Sequence, residues 1–268
     1  MKSASKVFFL FALMISISHI GIAQNPDASK YIEAIYIKSK NSDYLSIEKN
    51  YWKKYHTSII QAGKQSGWYV YKVKYPTGDQ ASYDYVVINA YKSWNDLVPS
   101  PDISSAAVKI ALPANEADAI KAKFELSRSI IWKQVFSLSG QAVEKEVKPS
   151  KFIIANEMKV LPGMESEYVK LELTYFKPFH TARAAEGIMN NWGLYKRALP
   201  YGDQYPYDYI TFNGYATWDD ITKQNPPTAW KKVHGDLNFN DIHNLTLSKR
   251  QTINVECWEL VEYAVATE

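Results

Sequence analysis

The chain holds 268 residues, 31 basic and 28 acidic, for a net charge of +3 at neutral pH. That balance gives no electrostatic case for nucleic acid or an anionic membrane surface. A single cysteine, Cys257, excludes an intrachain disulfide, so packing must hold the fold, and 20 Tyr with 8 Trp supply broad amphipathic rings for it.

Met1–Ala23 reads as a secretory signal. Lys2 and Lys6 precede an apolar run from Val7 to Ile22, and Gly21-Ile22-Ala23 offers small residues for cleavage. The run is shorter than the ~20 apolar residues of a spanning helix. The expectation is an exported protein, periplasmic or extracellular, free of the membrane once the leader is removed. The plan is a signal over 1–23, a first unit over 30–140, a linker over 141–151 and a second unit over 152–265.

In the first unit, Tyr31–Ile37 is rich in β-branched and aromatic residues and predicts a strand. A helix runs next from Ser42 to about Gln65, with Tyr44, Ile47, Tyr51, Trp52, Tyr55, Ile59 and Ala62 on one face. Glu48 falls within that apolar stripe and His56 at its margin. Strands are expected over 68–75 and 83–91, separated by a Pro76-Thr77-Gly78-Asp79 turn. A short helix begins at Trp94, and prolines 99, 101 and 113 break up the stretch beyond it. A helix over 114–125 and a strand over 130–139 complete a β-α-β-β-α-β order.

The second unit repeats that order, with strands over 152–161, 192–199, 207–215 and 252–261. Its long helix starts at Pro162-Gly163, and Pro178 is expected to kink it or reshape a turn. Helical pieces are expected over 225–234 and 240–248. A shift of 124 positions lays residues 51–97 on 175–221 without a gap, and 19 of 47 pairs are identical. They include His56/His180, Trp68/Trp192, Tyr71/Tyr195, Asn89/Asn213 and the Gly-Asp-Gln and Tyr-Asp-Tyr segments. So dense a match predicts one unit duplicated and fused.

Two such units, each with a helix carrying aromatic-Lys-x-aromatic-His (Tyr51 to His56; Tyr175 to His180), resemble the dimeric α/β-barrel superfamily, its NIPSNAP-like and antibiotic-biosynthesis-monooxygenase-like members above all. The resemblance implies an α+β fold: two tandem ferredoxin-like units whose sheets face each other as one intrachain pseudo-twofold barrel, helices outside. Members include oxygenases that work without a metal, isomerases and haem-degrading enzymes that use an Asn, a Trp and a helix His.

The residues that carry chemistry gather on the second long helix. Arg183 stands where the first unit has Ile59, and Glu186 where it has Ala62. A buried carboxylate needs a partner, and Arg183 can pair with Glu186 at i+3. A cleft there makes Glu172 and His180 candidate catalytic groups, with Arg183, Glu186, Tyr195 and Trp192, together with His56 and Glu48, as ligand-binding candidates. The bland alternative has both glutamates bonded to strand tyrosines. Asp84 and Asp208 are placed to orient a His or satisfy a Tyr hydroxyl. His234, Asp236, Asp241 and His243 are close in sequence but share no helical face for a metal. No cofactor is implied by the residues themselves.

The functional expectation is a small-molecule binder or cofactor-independent enzyme with its cleft in the second unit. Its ligand is an apolar or aromatic molecule with an acidic group. The alternatives are a non-catalytic interaction protein and a haem binder. The oligomeric state is open between a pseudo-symmetric monomer and a higher oligomer.

Overall fold

Strand β1 (Tyr31–Ser39) turns Ile32, Ala34 and Tyr36 to one side and Ile35 and Ile37 to the other, so both of its faces are covered. The computed structural model describes residues 29–78, 81–143, 149–223 and 227–266. The expected signal, part of the Gly78-Asp79-Gln80 turn and residues 144–148 of the expected linker lie outside them. After β1, three segments run on as one helix, α1: Asp43–Ile47, a π-helical turn Glu48–Trp52, and Lys53–Gln61. Strands β2 (Gly67–Tyr75) and β3 (Tyr85–Tyr91), helices α2 (Pro101–Ala111) and α3 (Ala117–Leu126), and β4 (Arg128–Val143) come next.

The second half runs in the same order. It comprises β5 (Phe152–Val160), α4 (Glu165–Leu171, a π-helical turn Glu172–Phe176, Lys177–Ala185), β6 (Asn191–Leu199) and β7 (Tyr209–Tyr215). Then come α5 (Trp218–Thr222), α6 (Pro227–His234), α7 (Phe239–Leu247) and β8 (Arg250–Val265). Helix α2 has no counterpart among the sequence expectations. Its prolines read as breaks, but Pro101 stands at the first turn, where its missing N–H costs nothing, and Ser100 Oγ accepts from Ile103 N. Pro178 does not cause the π turn before it, because the first half makes the same turn with Lys54 at that place.

The eight strands close into one antiparallel barrel in the order β1-β3-β2-β8-β5-β7-β6-β4. Each half therefore contributes its strands in the order fourth, first, third, second. Its interior is filled by side chains from both halves, among them Tyr36, Tyr71, Phe136, Phe212 and Trp258. The helices lie outside: α1 covers Trp68, Val70 and Val87, and α4 covers Trp192, Leu194 and Tyr209.

The long last strands lock the halves together. β4 continues past the expected boundary at residue 140 to pair with β6 and set Ala142 under α4, while β8 pairs with β2 and sets Ala264 under α1. A Cβ at Gly140 would meet Leu173 Cδ2 of α4, so that side chain would have to shift to admit one. Asp84 and Asp208 hold neither a His nor a Tyr. Asp84 accepts from Ser39 N at 2.9 Å and Lys38 Nζ at 3.0 Å, and Asp208 from Val160 N and Lys159 Nζ, both at 3.0 Å. These are matching clamps at the ends of β1 and β5.

Candidate functional site

Between α1 and the outer face of the first-half sheet lies a cavity of about 280 Å3. Its walls are aromatic, with Trp52 and Tyr55 from α1, Trp68 from β2, Tyr91 from β3 and Phe124 from α3. Glu48 and His56 enter it from the helix, and Glu33, Asn89, Arg128 and Lys133 from the strands.

The His56 ring lies flat on Trp68, centroids 5.0 Å apart and planes 11° from parallel. Its Nδ1 is 2.9 Å from Gln65 Oε1. Gln65 Nε2 donates to the Gly67 carbonyl at 2.9 Å and to Asn89 Oδ1 at 3.0 Å, which fixes the amide and leaves Oε1 facing the ring. A carbonyl oxygen only accepts, so Nδ1 carries the proton and Nε2 keeps its lone pair. Burial pushes the imidazole down to about 4, so it is neutral at physiological pH. The chain of bonds continues from Asn89 Nδ2 to Glu33 Oε2 at 3.1 Å, and Glu33 pairs with Lys133 at 2.8 Å.

Glu48 opens the π turn and is only 3% exposed. Burial pushes its carboxyl up to about 7, against the pull of the Tyr44 hydroxyl and the Arg128 guanidinium. Arg128 lies over Phe124 at 3.9 Å and pairs with Glu125 at 2.9 Å, but its buried Nε has no hydrogen-bond partner. A carboxyl poised near neutrality and an imidazole with a free lone pair thus border one ring-walled space. That arrangement suits proton transfer to or from a bound molecule. A π turn at such a place is a frequent mark of a functional helix.

The second half has the same frame and a different filling. His180 lies on Trp192 at 5.2 Å and 17°. Here Arg183 Nη1 stands 3.2 Å from His180 Nδ1. A guanidinium only donates, so Nδ1 accepts and Nε2 carries the proton, the opposite tautomer. Burial and the Arg183 charge hold this imidazole well below its usual range. Met189 occupies the place of Gln65, and Asn213 Oδ1 is left buried without a partner. Glu172 is pushed up to about 7 by burial, against the pull of Arg250 and the Tyr168 hydroxyl.

The open cleft expected at Glu172, His180 and Arg183 is filled by side chains. Phe176, Phe179, Trp230 and Ile242 form a closed layer between α4, α6 and α7, and Arg183 is 2% exposed. Arg183 does not pair with Glu186. Its Nη2 donates to the Tyr215 hydroxyl at 3.4 Å, while Glu186 faces Lys232 at 3.8 Å near the surface. Tyr195 leaves the group too, because it points into the barrel against Phe212, on the opposite sheet face from Trp192. Positions three apart on a strand must face opposite ways.

His180, Arg183 and Trp192 do meet, but as packed core, while Glu172 is buried beside Tyr168 and Arg250. Glu48 and His56 border the open space. The sequence reading missed Gln65 and Arg128. Gln65 has no identical mate at Met189, and Arg128 and Arg250 stand 122 positions apart, off the gapless match. His234 gives its Nε2 proton to the Tyr175 carbonyl at 2.8 Å and makes no cluster with His243.

No family model and no curated protein matches the chain. Solved structures do. Two chains are each described as a "putative monooxygenase". The one from Lactobacillus acidophilus NCFM has a TM-score of 0.53 at 11% identity, over 88% of this chain and 96% of that one. The one from Fusobacterium nucleatum subsp. nucleatum has a TM-score of 0.53 at 11% identity, over 88% and 95%. An anthrone oxidase-like protein has a TM-score of 0.51 at 12% identity, over 90% and 96%. At such identities the likeness shows the fold, an α+β chain of the dimeric α/β-barrel type.

Proposed function

We propose that the chain is a tandem pair of ferredoxin-like units closed on each other as a barrel, and that it binds a small molecule in the first-half cleft. The duplication is supported by the 19 identities in 47 positions, the shared strand order and the π turn in each long helix. The ligand has an apolar or aromatic body that lies among Trp52, Tyr55, Trp68 and Phe124, and an acidic group directed at Arg128. If the protein is an enzyme, the step is proton abstraction from an acidic O–H or C–H, with His56 Nε2 as base and Glu48 as the proton-bearing partner. The neighbours' descriptions as monooxygenases and an anthrone oxidase-like protein suit a hydroxylated aromatic ligand.

The observation that carries this reading is that His56, its Nδ1 fixed by Gln65, and the buried Glu48 border one ring-walled cavity from the same helix, with the Glu48 carboxyl pushed up to about 7. The test is calorimetric titration with anthrone, salicylate and a hydroxynaphthoate. Saturable binding of at least one, weakened about tenfold by His56→Ala and by Glu48→Gln, is expected. Arg183→Ala should leave that affinity unchanged. Binding indifferent to both cleft variants would end the assignment.

A second reading, haem held by His56, draws on one observation: His56, Trp68 and Asn89 line one cavity. Those are the residue types the superfamily's haem-degrading members use. The Nε2 lone pair of a neutral imidazole is the ligating form. Added haem should then give a Soret band that His56→Ala abolishes, and a featureless spectrum would dismiss the idea. Export is proposed from Met1–Ala23 alone, and fractionation of cells that carry the full chain tests it. No described helix is long and apolar enough to cross a membrane.

A further inference from the structure

A second cavity, about 340 Å3, opens at the barrel mouth where β1 and β5 end. Both halves line it, and they place unlike residues at matching positions. Tyr36 sits across from Val86 and Trp132, and Glu157 sits across from Ile210 and Asn254. Two residues further along the last strands, Gln134 answers to Glu256. The tyrosines of the β2–β3 and β6–β7 connections cross between halves in the same way. Tyr83 donates to Glu256 Oε2 at 2.7 Å, and Tyr207 donates to Gln134 Oε1.

Glu256 is well supplied. Besides Tyr83 it accepts from Trp258 Nε1 at 2.7 Å and Asn254 Nδ2 at 3.0 Å. Glu157 is not. It is 8% exposed and lines the cavity, on the same sheet face as Glu256. Its nearest donors are shared: the Asn254 amide also donates to Glu256, and the Tyr207 hydroxyl to Gln134. Arg197 turns its Nη2 to the Tyr207 carbonyl. Among the described residues, no lysine or arginine closes an ion pair on either carboxylate. Burial and the Glu256 charge push Glu157 up to about 7, against the pull of Asn254, Tyr207 and the Arg197 charge. Two buried acids face one cavity, and the Arg197 charge reaches Glu157 without closing an ion pair on it, which leaves negative charge for a cation from outside.

The rest of the wall says which cation. Tyr36, Tyr83 and Trp132 all line the space, Tyr36 meeting Tyr83 edge to face at 4.8 Å and Trp132 at 6.4 Å, which gives it aromatic walls. Aromatic faces attract ammonium groups. A hard divalent ion needs six or more oxygen ligands, and with Glu256 already holding three hydrogens the mouth has few to offer. We propose that the barrel mouth binds a small organic cation, a protonated or quaternary amine on a compact apolar body, with Glu157 as its counter-charge and Tyr36, Tyr83 and Trp132 around it. This site lies on the inner side of the sheet and is independent of the outer cleft.

The test is calorimetry on the full chain at pH 8 with benzylammonium chloride and its neutral isostere benzyl alcohol. Benzylammonium should bind at least about tenfold tighter, and Glu157→Gln should erase that preference. Affinity for the cation should fall between pH 8 and pH 6 as Glu157 takes up a proton. Glu256, Tyr36, Tyr83, Tyr207 and Arg197 are the charged or titratable groups that face it. Trp132 is 40% exposed, so Trp132→Leu spares the core and should also weaken the cation, which keeps the test decisive if Glu157→Gln unfolds. Equal affinity for both probes, a preference that survives Glu157→Gln, or no saturable heat at millimolar probe would overturn the proposal. Glu48→Gln and His56→Ala should leave benzylammonium binding intact.

Discussion

In both halves a helix histidine lies flat on a strand tryptophan, eight residues after a buried glutamate that opens a π turn. What separates them is the neighbour at the ring nitrogen. Gln65 accepts from His56 and leaves its Nε2 open, whereas Arg183 donates to His180 and so assigns the proton to Nε2. The two halves also differ in space. Trp52, Tyr55 and His56 border a cavity, while Phe176, Phe179 and Arg183 are packed under Trp230. A shared frame thus does not fix chemistry; two substitutions at its margin do.

The largest expected effect tests what the halves share. Glu48 and Glu172 both keep their protons up to about 7 in the folded protein, whereas an unfolded glutamate loses its proton near 4.3. The folded state binds more protons across that window, so each acid's stabilising contribution is present at low pH and is lost as pH rises to about 7. Relative to the parent, Glu48→Gln should therefore gain up to about 3 kcal/mol between pH 4.5 and 7 in urea unfolding. Glu172→Gln should do the same if the frame is equivalent, and a flat difference for either breaks the equivalence. His56 acts in the opposite direction. Its folded value near 4 means that stability is gained as pH rises from about 4 to 6.5.

Next in size is Gln65→Met, which copies the second half into the first. It strands both the His56 Nδ1 proton and Asn89 Oδ1, at a cost of about 2 kcal/mol in the same assay. Nitrogen-15 spectra of the parent near pH 7 should show His56 protonated on Nδ1 and His180 on Nε2. Identical tautomers would remove the distinction between the halves.

Arg183→Met takes a buried, partly paired charge out of the filled side and should change stability by no more than about 1 kcal/mol, in the stabilising direction. His180 should then titrate higher, because one of the two causes that depress it is gone. The smallest effect belongs to Glu186→Ala. Its ion pair with Lys232 spans 3.8 Å between partly exposed side chains, so a change beyond about 0.5 kcal/mol would contradict its placement at the rim.

Spacing alone made much of the frame legible. The 3.6-residue period put Glu48 and Glu172 among buried rings, and alternation put Tyr195 and Trp192 on opposite faces, although the expected site had joined them. Two matches were hidden by changes of offset. β1 and β5 are offset by 121 positions, β4 and β8 by 122, and the middle of each half by 124. A gapless comparison therefore never sets Tyr36 beside Glu157 or Arg128 beside Arg250.

The sequence by itself determined the order of the elements apart from α2, the matching of the middle of each half and many of the side chains that the long helices and strands bury, because these depend on short-range periodicity. Only the closed barrel decided which half keeps its cleft, which nitrogen of each histidine carries the proton and that Glu157 and Glu256 face the mouth together. Those outcomes depend on hydrogen-bond distances among groups far apart in the chain, such as Gln65 with Asn89 and Tyr83 with Glu256. Such groups meet only when the last strand of each half crosses to the other.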